Sequence, residues 1–283
     1  MRKKVIQFIG FFILRGCMYF VLAVLLLFLY DIGKKGGGAI SWEFLTAAPR
    51  RGMTEGGIFP AIMGTFLVTM VTAVLAIPLG MFSAIYLNEY AKQTRLTRLI
   101  RLSIRNLSGV PSIVYGLFGV ILFVNILKFG TSILSAGLTL GLLTLPWTIT
   151  ASEEALKTIP NSYREGALAL GATKWQAIRT NVLPYAIPGM LTGTVLGLAR
   201  AAGETAPIMF TGAAFYLPYL PKSLGDQFMA LPYHLYILAT QHHAITQVRP
   251  LAYGTALVLI ALVLGMNMVA IIIRYRLRRK RRG

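Results

Sequence analysis

Six apolar segments constrain this chain more than any other feature. A helix needs roughly 20 apolar residues to cross a hydrocarbon layer about 30 Å thick. The segments run approximately over Ile9–Tyr30, Ile58–Leu87, Leu107–Leu127, Thr131–Thr150, Pro188–Leu217 and Leu251–Ile273. Of the 283 residues, 56% are hydrophobic and only 13% are charged, whereas soluble domains average about 25% charged residues. We therefore expect an all-α membrane protein with six transmembrane helices.

The basic residues are distributed unequally between the two sides of the predicted bundle. The chain carries 28 Lys and Arg against 9 Asp and Glu, which in a soluble protein would suggest a nucleic-acid partner. Here 19 basic residues fall on the side that holds both termini and 7 on the other. Because cytoplasmic loops carry the excess of Lys and Arg, we expect both termini in the cytoplasm, a lipid bilayer as the surroundings, and no nucleic acid.

The first apolar segment follows three basic residues, as the apolar part of a signal peptide would. No small-x-small cleavage site follows it, since the chain continues after Tyr30 with Asp31–Lys35 and three glycines. We expect residues 1–57 to form a retained transmembrane anchor with an outer loop. Residues 58–283 are then the main transmembrane domain, with a cytoplasmic loop over residues 151–184.

A basic amphipathic segment precedes the third span. Between Tyr90 and Arg105, arginines recur at spacings of three and four, with leucine and isoleucine between them. This pattern favours a surface helix that lies along anionic lipid headgroups and leads into the third span. A role in attracting an anionic substrate is the alternative.

Cysteine and histidine provide little support for a metal site. Cys17 is the only cysteine and lies in the first apolar segment, so no internal disulfide is possible. His234, His242 and His243 lie in a predicted outer segment without a carboxylate or cysteine close by in sequence. We expect neither a metal nor another cofactor. Ser223–Gln241 is predicted to form a short outer helix near the bilayer surface.

The loop between the fourth and fifth spans carries a spaced motif. Glu165-Gly166-Ala167 is followed after three residues by Gly171, and after eleven more by Leu183-Pro184. Asn161 or Ser162 can cap a helix over Tyr163–Leu170, which Gly171 can end, and a second short helix can run over Lys174–Val182. The sequence therefore predicts a compact helical protrusion.

This motif resembles the EAA loop of ABC importer permeases, in which Glu-Ala-Ala, Gly and Leu-Pro stand at these spacings. Gly166 replaces the second-position Ala and Asn181 replaces an Ile, while the spacing is intact. The resemblance implies a type I, EAA-loop ABC importer permease fold whose loop docks on a dimeric ATP-binding subunit. The chain has no G-x-x-x-x-G-K-[ST] segment for nucleotide phosphates. We therefore expect a non-enzymatic permease subunit that works with a separate ATPase.

Two opposite charges stand inside the fifth apolar segment. Arg200 and Glu204 are four residues apart, so on a continuous helix they share one face. Charges within a bilayer are costly and persist mainly when they are paired or face a watery path. A guanidinium whose carboxylate partner can be exchanged suits an oxyanion, with Thr205 beside it and Pro207 bending the helix. The alternative is a buried ion pair that only fixes helix packing.

Arg200–Thr211, together with Leu107–Gly119 in the third span, is similar to the A-type permease subunits of phosphate ABC importers (PstA type). The resemblance extends from Gly64 to the end of the chain. It implies that Arg200 and Glu204 line a phosphate path, and Ser112 and Thr205 are the next candidates for a substrate contact. It also implies a second homologous permease of the C type, a substrate-binding protein on the outer side and a bacterial inner membrane.

Two other functions are compatible with parts of this pattern. An importer for another oxyanion, such as molybdate or sulfate, would use the same arrangement. A secondary anion transporter could use the Arg200 and Glu204 pair without ATP, but it has no ATPase to dock and no need of the loop motif.

Overall fold

The computed structural model describes residues 2–279, which form twelve α-helices and one short hairpin. The long helices are α1 (Arg2–Gly36), α3 (Phe59–Ile85), α6 (Ile133–Lys157), α9 (Leu183–Ala201) and α12 (Ile245–Arg279). The shorter ones are α2 (Trp42–Thr46), α4 (Arg95–Leu107), α5 (Ser112–Gly119), α7 (Ser162–Ala169), α8 (Lys174–Ala177), α10 (Ala206–Thr211) and α11 (Leu231–Tyr236).

Wider and tighter helical turns extend several of these helices. π-helical turns cover Tyr86–Tyr90, Val120–Ile126, Ile178–Val182 and Ile237–Gln241, and 3₁₀ turns cover Gly37–Ala39 and Arg51–Met53. Strands β1 (Pro49–Arg50) and β2 (Glu55–Gly56) pair antiparallel, with Pro49 opposite Gly56 and Arg50 opposite Glu55.

Helix α6 lies at the centre of the bundle and packs between α3 and α9. Three glycines at intervals of four along α9 meet small or flat side chains of α6: a Cβ at Gly189, Gly193 or Gly197 would press on Ala155, Ala151 or Trp147, respectively. Small residues at this spacing let two helices approach closely in a membrane. The α6–α9 pair is therefore antiparallel with a fixed register.

The contact between α3 and α6 is equally close. A Cβ at Gly137 or Gly141 would press on Val71 or Leu75 of α3. The Thr72 hydroxyl donates to the carbonyl of Val68 at 2.8 Å and lies 3.2 Å from that of Gly137. Hydroxyls bonded to a carbonyl one turn back avoid leaving a polar group unpaired in an apolar setting.

Within residues 2–279, five helices are long and apolar enough to cross a membrane, and a bent pair formed by α4 and α5 with its π-helical continuation makes a sixth. The prediction of an all-α membrane fold with six spans is confirmed in this sense. Helix α12 also packs against α9 and α1. The side chains of α1 are mostly exposed, as those of a lipid-facing anchor would be.

The third span is shorter than the sequence indicated. The predicted segment Leu107–Leu127 begins as the end of α4, and α5 leaves it at an angle of 101°. Pro111 lacks the backbone N–H needed to continue a helix and disfavours helical geometry at Val110. The spanning part therefore begins at Ser112.

The fifth span also differs from the prediction of one helix over Pro188–Leu217. The helical run begins much earlier, at Lys174, and α9 ends at Ala201. Pro207 cannot donate to the carbonyl of Gly203 and occupies the first turn of α10 instead. Beyond Gly212 the chain is irregular up to α11. The predicted outer helix over Ser223–Gln241 is correct only from Leu231 onward, where Pro232 fits the first turn.

Candidate functional site

Arg200 lies in the last turn of α9, beside the middle of α6. The glycine run of α9 sets this position, since Gly197 packs on Trp147 and Arg200 follows one turn later. A cavity of about 230 Å³ opens here. Its polar lining comes from three separate parts of the chain: Ser108, Ser112, Tyr115, Thr144, Trp147, Arg200 and Glu204.

Arg200 and Glu204 face each other across the break between α9 and α10. The Arg200 Nε atom lies 3.7 Å from Glu204 Oε1, longer than a strong charge-assisted hydrogen bond. The Arg200 side chain is 61% exposed, whereas that of Glu204 is 17% exposed. The pair is thus an ion pair on a non-helical turn, and the predicted single helical face is wrong. An exposed, loosely held guanidinium can exchange its partner for an anionic oxygen.

Ser112 reaches the same cavity from α5. It follows Pro111 at the start of that helix, so its side chain stands at the bend that faces Arg200. One turn later, the Tyr115 hydroxyl donates to the carbonyl of Leu107 at 2.9 Å and closes the bend. The structure therefore places Ser112 in the lining of the cavity that Arg200 and Glu204 also line.

Helix α5 approaches α10 where α5 has a glycine. A Cβ at Gly116 would meet backbone atoms of Pro207 and Ala206 at about 3.0 Å and 3.1 Å. Thr205 starts α10 on the other side of this contact and is not among the residues that line the cavity. Of the four predicted path residues, Thr205 alone stands apart from the cavity.

The loop motif folds as two helices joined by a glycine turn. Gly171, two residues beyond the end of α7, has a φ of +83°. The amides of Gly171 and Ala172 donate to the carbonyls of Leu168 and Ala167, respectively. This Schellman geometry requires a left-handed residue, which glycine adopts without steric cost. Thr173 then caps α8 with a capping box that includes Gln176.

The motif residues divide into an exposed and a packed set. Glu165, Gly166 and Gly171 are exposed, and Ala167 is buried. Leu183 and Pro184 are partly buried at the start of α9. Large apolar side chains protrude from the same loop, with Leu170 the most exposed at 90%: Tyr163, Leu168, Leu170 and Trp175. An exposed apolar protrusion of this kind is typical of a surface that docks on another protein.

Two buried ion pairs near the loop escaped the sequence analysis. Arg164 pairs with Glu89 at the end of α3, and Arg101 of α4 pairs with Glu153 of α6. Their partners are far apart in sequence, so no local spacing could reveal them. Arg101 therefore faces the protein, while the other arginines of α4 are exposed as predicted for a surface helix.

The three histidines have different surroundings. His234 is buried and its Nδ1 atom has no hydrogen-bond partner. The Nε2 atom of His242 lies 2.7 Å from the carbonyl oxygen of Gly52, and its ring stacks on His243. Across residues 2–279, no three His, Cys, Asp or Glu side chains are close enough to hold an ion together.

Known sequences similar to this chain are membrane components of transport systems. It is 32% identical to the probable ABC transporter permease protein YqgI of Bacillus subtilis, over 90% of each chain. It is 38% identical to the phosphate transport system permease protein PstA 1 of Mycobacterium tuberculosis, over 80% of this chain and 72% of that one. The probable phosphate transport system permease protein PstA of Methanocaldococcus jannaschii is 33% identical, over 91% of this chain and 89% of that one.

Solved structures of ABC importers share the fold. A chain of the inward-facing MetNI methionine ABC transporter superposes with a TM-score of 0.58 at 19% identity, over 78% of this chain and 94% of that one. A chain of the bacterial alginate ABC transporter, in complex with its alginate-bound periplasmic protein, superposes with a TM-score of 0.65 at 15% identity, over 92% of each chain.

Residues 76–283 match the family described as binding-protein-dependent transport system inner membrane component. The matched range contains α5, α9, the cavity and the whole loop motif. This chain therefore belongs to the family of inner membrane components of binding-protein-dependent transport systems, the permease subunits of ABC importers.

Proposed function

We propose that this chain is a permease subunit of an ATP-driven phosphate importer, with Arg200 as the transient phosphate contact. The cavity that joins Ser112, Arg200 and Glu204 is the observation that carries this proposal. Similar proteins named for phosphate transport support the choice of substrate. An arginine fork offers paired donors to a tetrahedral oxyanion.

The electrostatics of the cavity suit transient rather than tight binding. Glu204 neutralises Arg200 when no substrate is present, which avoids an unpaired charge in the membrane. An arriving phosphate competes with this carboxylate for the guanidinium, and the carboxylate returns when the phosphate leaves. Ser112 supplies a hydroxyl to the bound anion. Thr205 is a weaker candidate because it does not line the cavity.

The loop over residues 151–184 is proposed to dock on a separate ATP-binding subunit through the exposed surface of α7 and α8. Glu165 and Gly166 are exposed for this contact, Gly171 sets the angle between the two helices, and Ala167 packs inward. Leu183 and Pro184 join the loop to α9, which carries Arg200. The dimeric ATPase supplies ATP hydrolysis, so this chain has no enzymatic role of its own.

The remaining partners follow from the same assignment. We propose a second, homologous permease of the C type beside this chain and a substrate-binding protein on the opposite side from the loop. Both termini and the loop then lie in the cytoplasm of a bacterial cell. Residues 1–57 serve as the anchor and outer loop, and residues 58–283 as the permease domain.

One experiment tests the proposal. The chain is purified with its co-purifying partners, which mass spectrometry identifies, and ATP hydrolysis is measured in proteoliposomes with the loaded binding protein. Phosphate is expected to stimulate hydrolysis and to enter the vesicles. Stimulation by molybdate or sulfate in place of phosphate would identify another oxyanion importer, and anion uptake without ATP would favour a secondary transporter.

A further inference from the structure

A buried ion pair ties the candidate docking loop to the end of α3. The Arg164 guanidinium donates to both carboxylate oxygens of Glu89, at 3.0 Å from Nε to Oε2 and 2.6 Å from Nη2 to Oε1. The two side chains are 18% and 4% exposed. A bidentate pair fixes the relative orientation of its partners as well as their distance. Asn88 donates a further hydrogen bond to Glu89 at 2.9 Å.

The same guanidinium also holds the end of α6. Its Nη1 atom donates to the carbonyl of Ile159 at 2.9 Å, and its Nη2 atom lies 3.3 Å from the carbonyl oxygen of Leu156. Arg164 thereby joins α7 to the ends of the two helices that pack most closely in the bundle. Movement of α7 cannot be independent of α3 while these contacts persist.

Two other basic side chains converge on the turn Tyr86–Tyr90, here called the α3 terminal turn. The Lys174 ammonium of α8 lies 5.0 Å from the centroid of the Tyr90 ring, a cation–π distance. Arg101 of α4 donates to the carbonyl of Leu87 at 2.7 Å and lies 3.2 Å from Glu153 of α6. Helices α7, α8 and α4 therefore all reach one turn.

We propose that Arg164 and Glu89 are positioning residues that transmit movement of the docking loop to α3. This inference rests on the proposed function, because it assumes that an ATPase displaces the loop. A displaced α7 must either carry the α3 terminal turn with it or separate the pair. Separation leaves a buried carboxylate without its cation, which is strongly unfavourable. Joint movement is favoured, and the close contact of α3 with α6 carries it to the wall of the cavity.

The test uses the complete transporter in proteoliposomes and measures phosphate uptake per ATP hydrolysed. Arg164→Gln and Glu89→Gln each remove one charge. We expect uptake per ATP to fall at least tenfold while ATP hydrolysis continues, because the ATPase then moves a loop that no longer moves α3. Arg98→Gln is the matched control, since Arg98 is an exposed arginine of α4 outside the docking loop, and its ratio of uptake to ATP hydrolysis should equal that of the parent.

A charge exchange separates transmission from folding. The variant with Glu89→Arg and Arg164→Glu restores an ion pair in reversed order but cannot donate to the carbonyls of Ile159 and Leu156. Uptake per ATP should therefore rise above that of both single variants without reaching the parent value. An unchanged ratio in the assembled single variants would overturn the inference. It would also be overturned if the exchanged pair assembled but stayed uncoupled, or if every variant failed to assemble with the ATPase, since the pair would then serve folding alone.

A second measurement does not depend on the substrate. Hydrogen exchange is compared with and without trapped nucleotide on the ATPase, in the parent and in Arg164→Gln. In the parent, protection should change together in Ser162–Ala169 and Tyr86–Tyr90, whereas in the variant only the first segment should respond. A response of Tyr86–Tyr90 that survives in the variant would contradict the inference. If the parent transporter coupled ATP hydrolysis to the uptake of a different anion, only the proposed substrate would be refuted.

Discussion

Arg200 and Glu204 meet across the non-helical turn that separates α9 from α10, with 3.7 Å between Nε and Oε1. This separation is long for an arginine–carboxylate contact, and the guanidinium is the more exposed partner. The carboxylate is the more buried partner, and both side chains line the cavity. An anion can therefore reach the exposed guanidinium and compete with Glu204 for it.

Replacing Arg200 should stop transport without unfolding the protein. Arg200→Gln removes both the charge and the fork, so phosphate uptake should fall at least tenfold, while the protein should still fold because the Arg200 side chain is 61% exposed and its 3.7 Å contact with Glu204 is loose. Arg200→Lys should restore little uptake, because an ammonium lacks the bidentate geometry. Uptake of labelled phosphate into vesicles is measured for both variants. Arg98→Gln, at an exposed arginine of α4, should transport normally.

Glu204→Gln should also impair uptake, for a different reason. Without its carboxylate, Arg200 has no internal competitor for a bound anion and should release phosphate more slowly. The double variant Arg200→Gln with Glu204→Gln should be at least as stable as either single variant and still transport nothing. Thermal unfolding measures the stability of the three variants, and phosphate uptake into vesicles measures their transport. If the double variant regained uptake, the pair would be a packing device and Ser112 the better candidate contact.

The sequence predicted the parts of this site that depend on local chemistry. The glycine that ends α7 and the small residues of the loop motif have clear signals, because backbone conformation at Gly171 allows few other residues. Contacts between distant residues had no such signal. Arg164 and Glu89 are 75 positions apart. Ser112 lines the same cavity as Arg200 only because Pro111 bends one span and Pro207 breaks another. The glycine spacing along α9 was present in the sequence and would have predicted its packing on α6.

Gly171 and Gly166 form a matched pair for testing the loop. A Cβ would meet no neighbouring atom at either position, but only Gly171 has positive φ. Gly171→Val should therefore strain the turn, at about 1–2 kcal/mol for a left-handed residue, and abolish transport while the ATPase still binds ATP. Gly166→Ala lies inside α7, where alanine is favoured over glycine by about 1 kcal/mol. It also restores the second Ala of the Glu-Ala-Ala pattern, so the variant should keep the docking contact and transport normally. Normal transport by Gly171→Val would refute the docking role of the loop.

Cysteine labelling in a Cys17→Ser background tests the orientation. Lys174 and Trp42 are both exposed in the isolated chain and are expected on opposite sides of the membrane. Lys174→Cys should react with an impermeant maleimide only after the membrane is opened. Trp42→Cys should react with the same reagent from the outer face, before the membrane is opened. Reaction of the cysteine at position 174 from outside would reverse the topology.

His234 should make the segment around α11 sensitive to acid. Burial, with a smaller contribution from His242, lowers the pKa of His234 from 6.5 to about 4. The unfolded chain therefore binds more protons than the folded one between these values, so stability falls as the pH falls from 6.5 towards 4. At pH 5 the loss is roughly 2 kcal/mol.

The measurement is the change in thermal midpoint of the detergent-solubilised protein between pH 7.5 and pH 5. His234→Gln, which cannot titrate, should lose that part of the change, whatever its midpoint at pH 7.5. The exposed His243 provides the control, since His243→Gln should keep the pH dependence of the parent. An equal shift in the parent and in His234→Gln would place the acid sensitivity elsewhere. A smaller change in thermal midpoint in His234→Gln alone would assign the acid sensitivity to the His234 ring. Among the described residues, its Nδ1 atom has no hydrogen-bond partner, and the buried site disfavours its protonation.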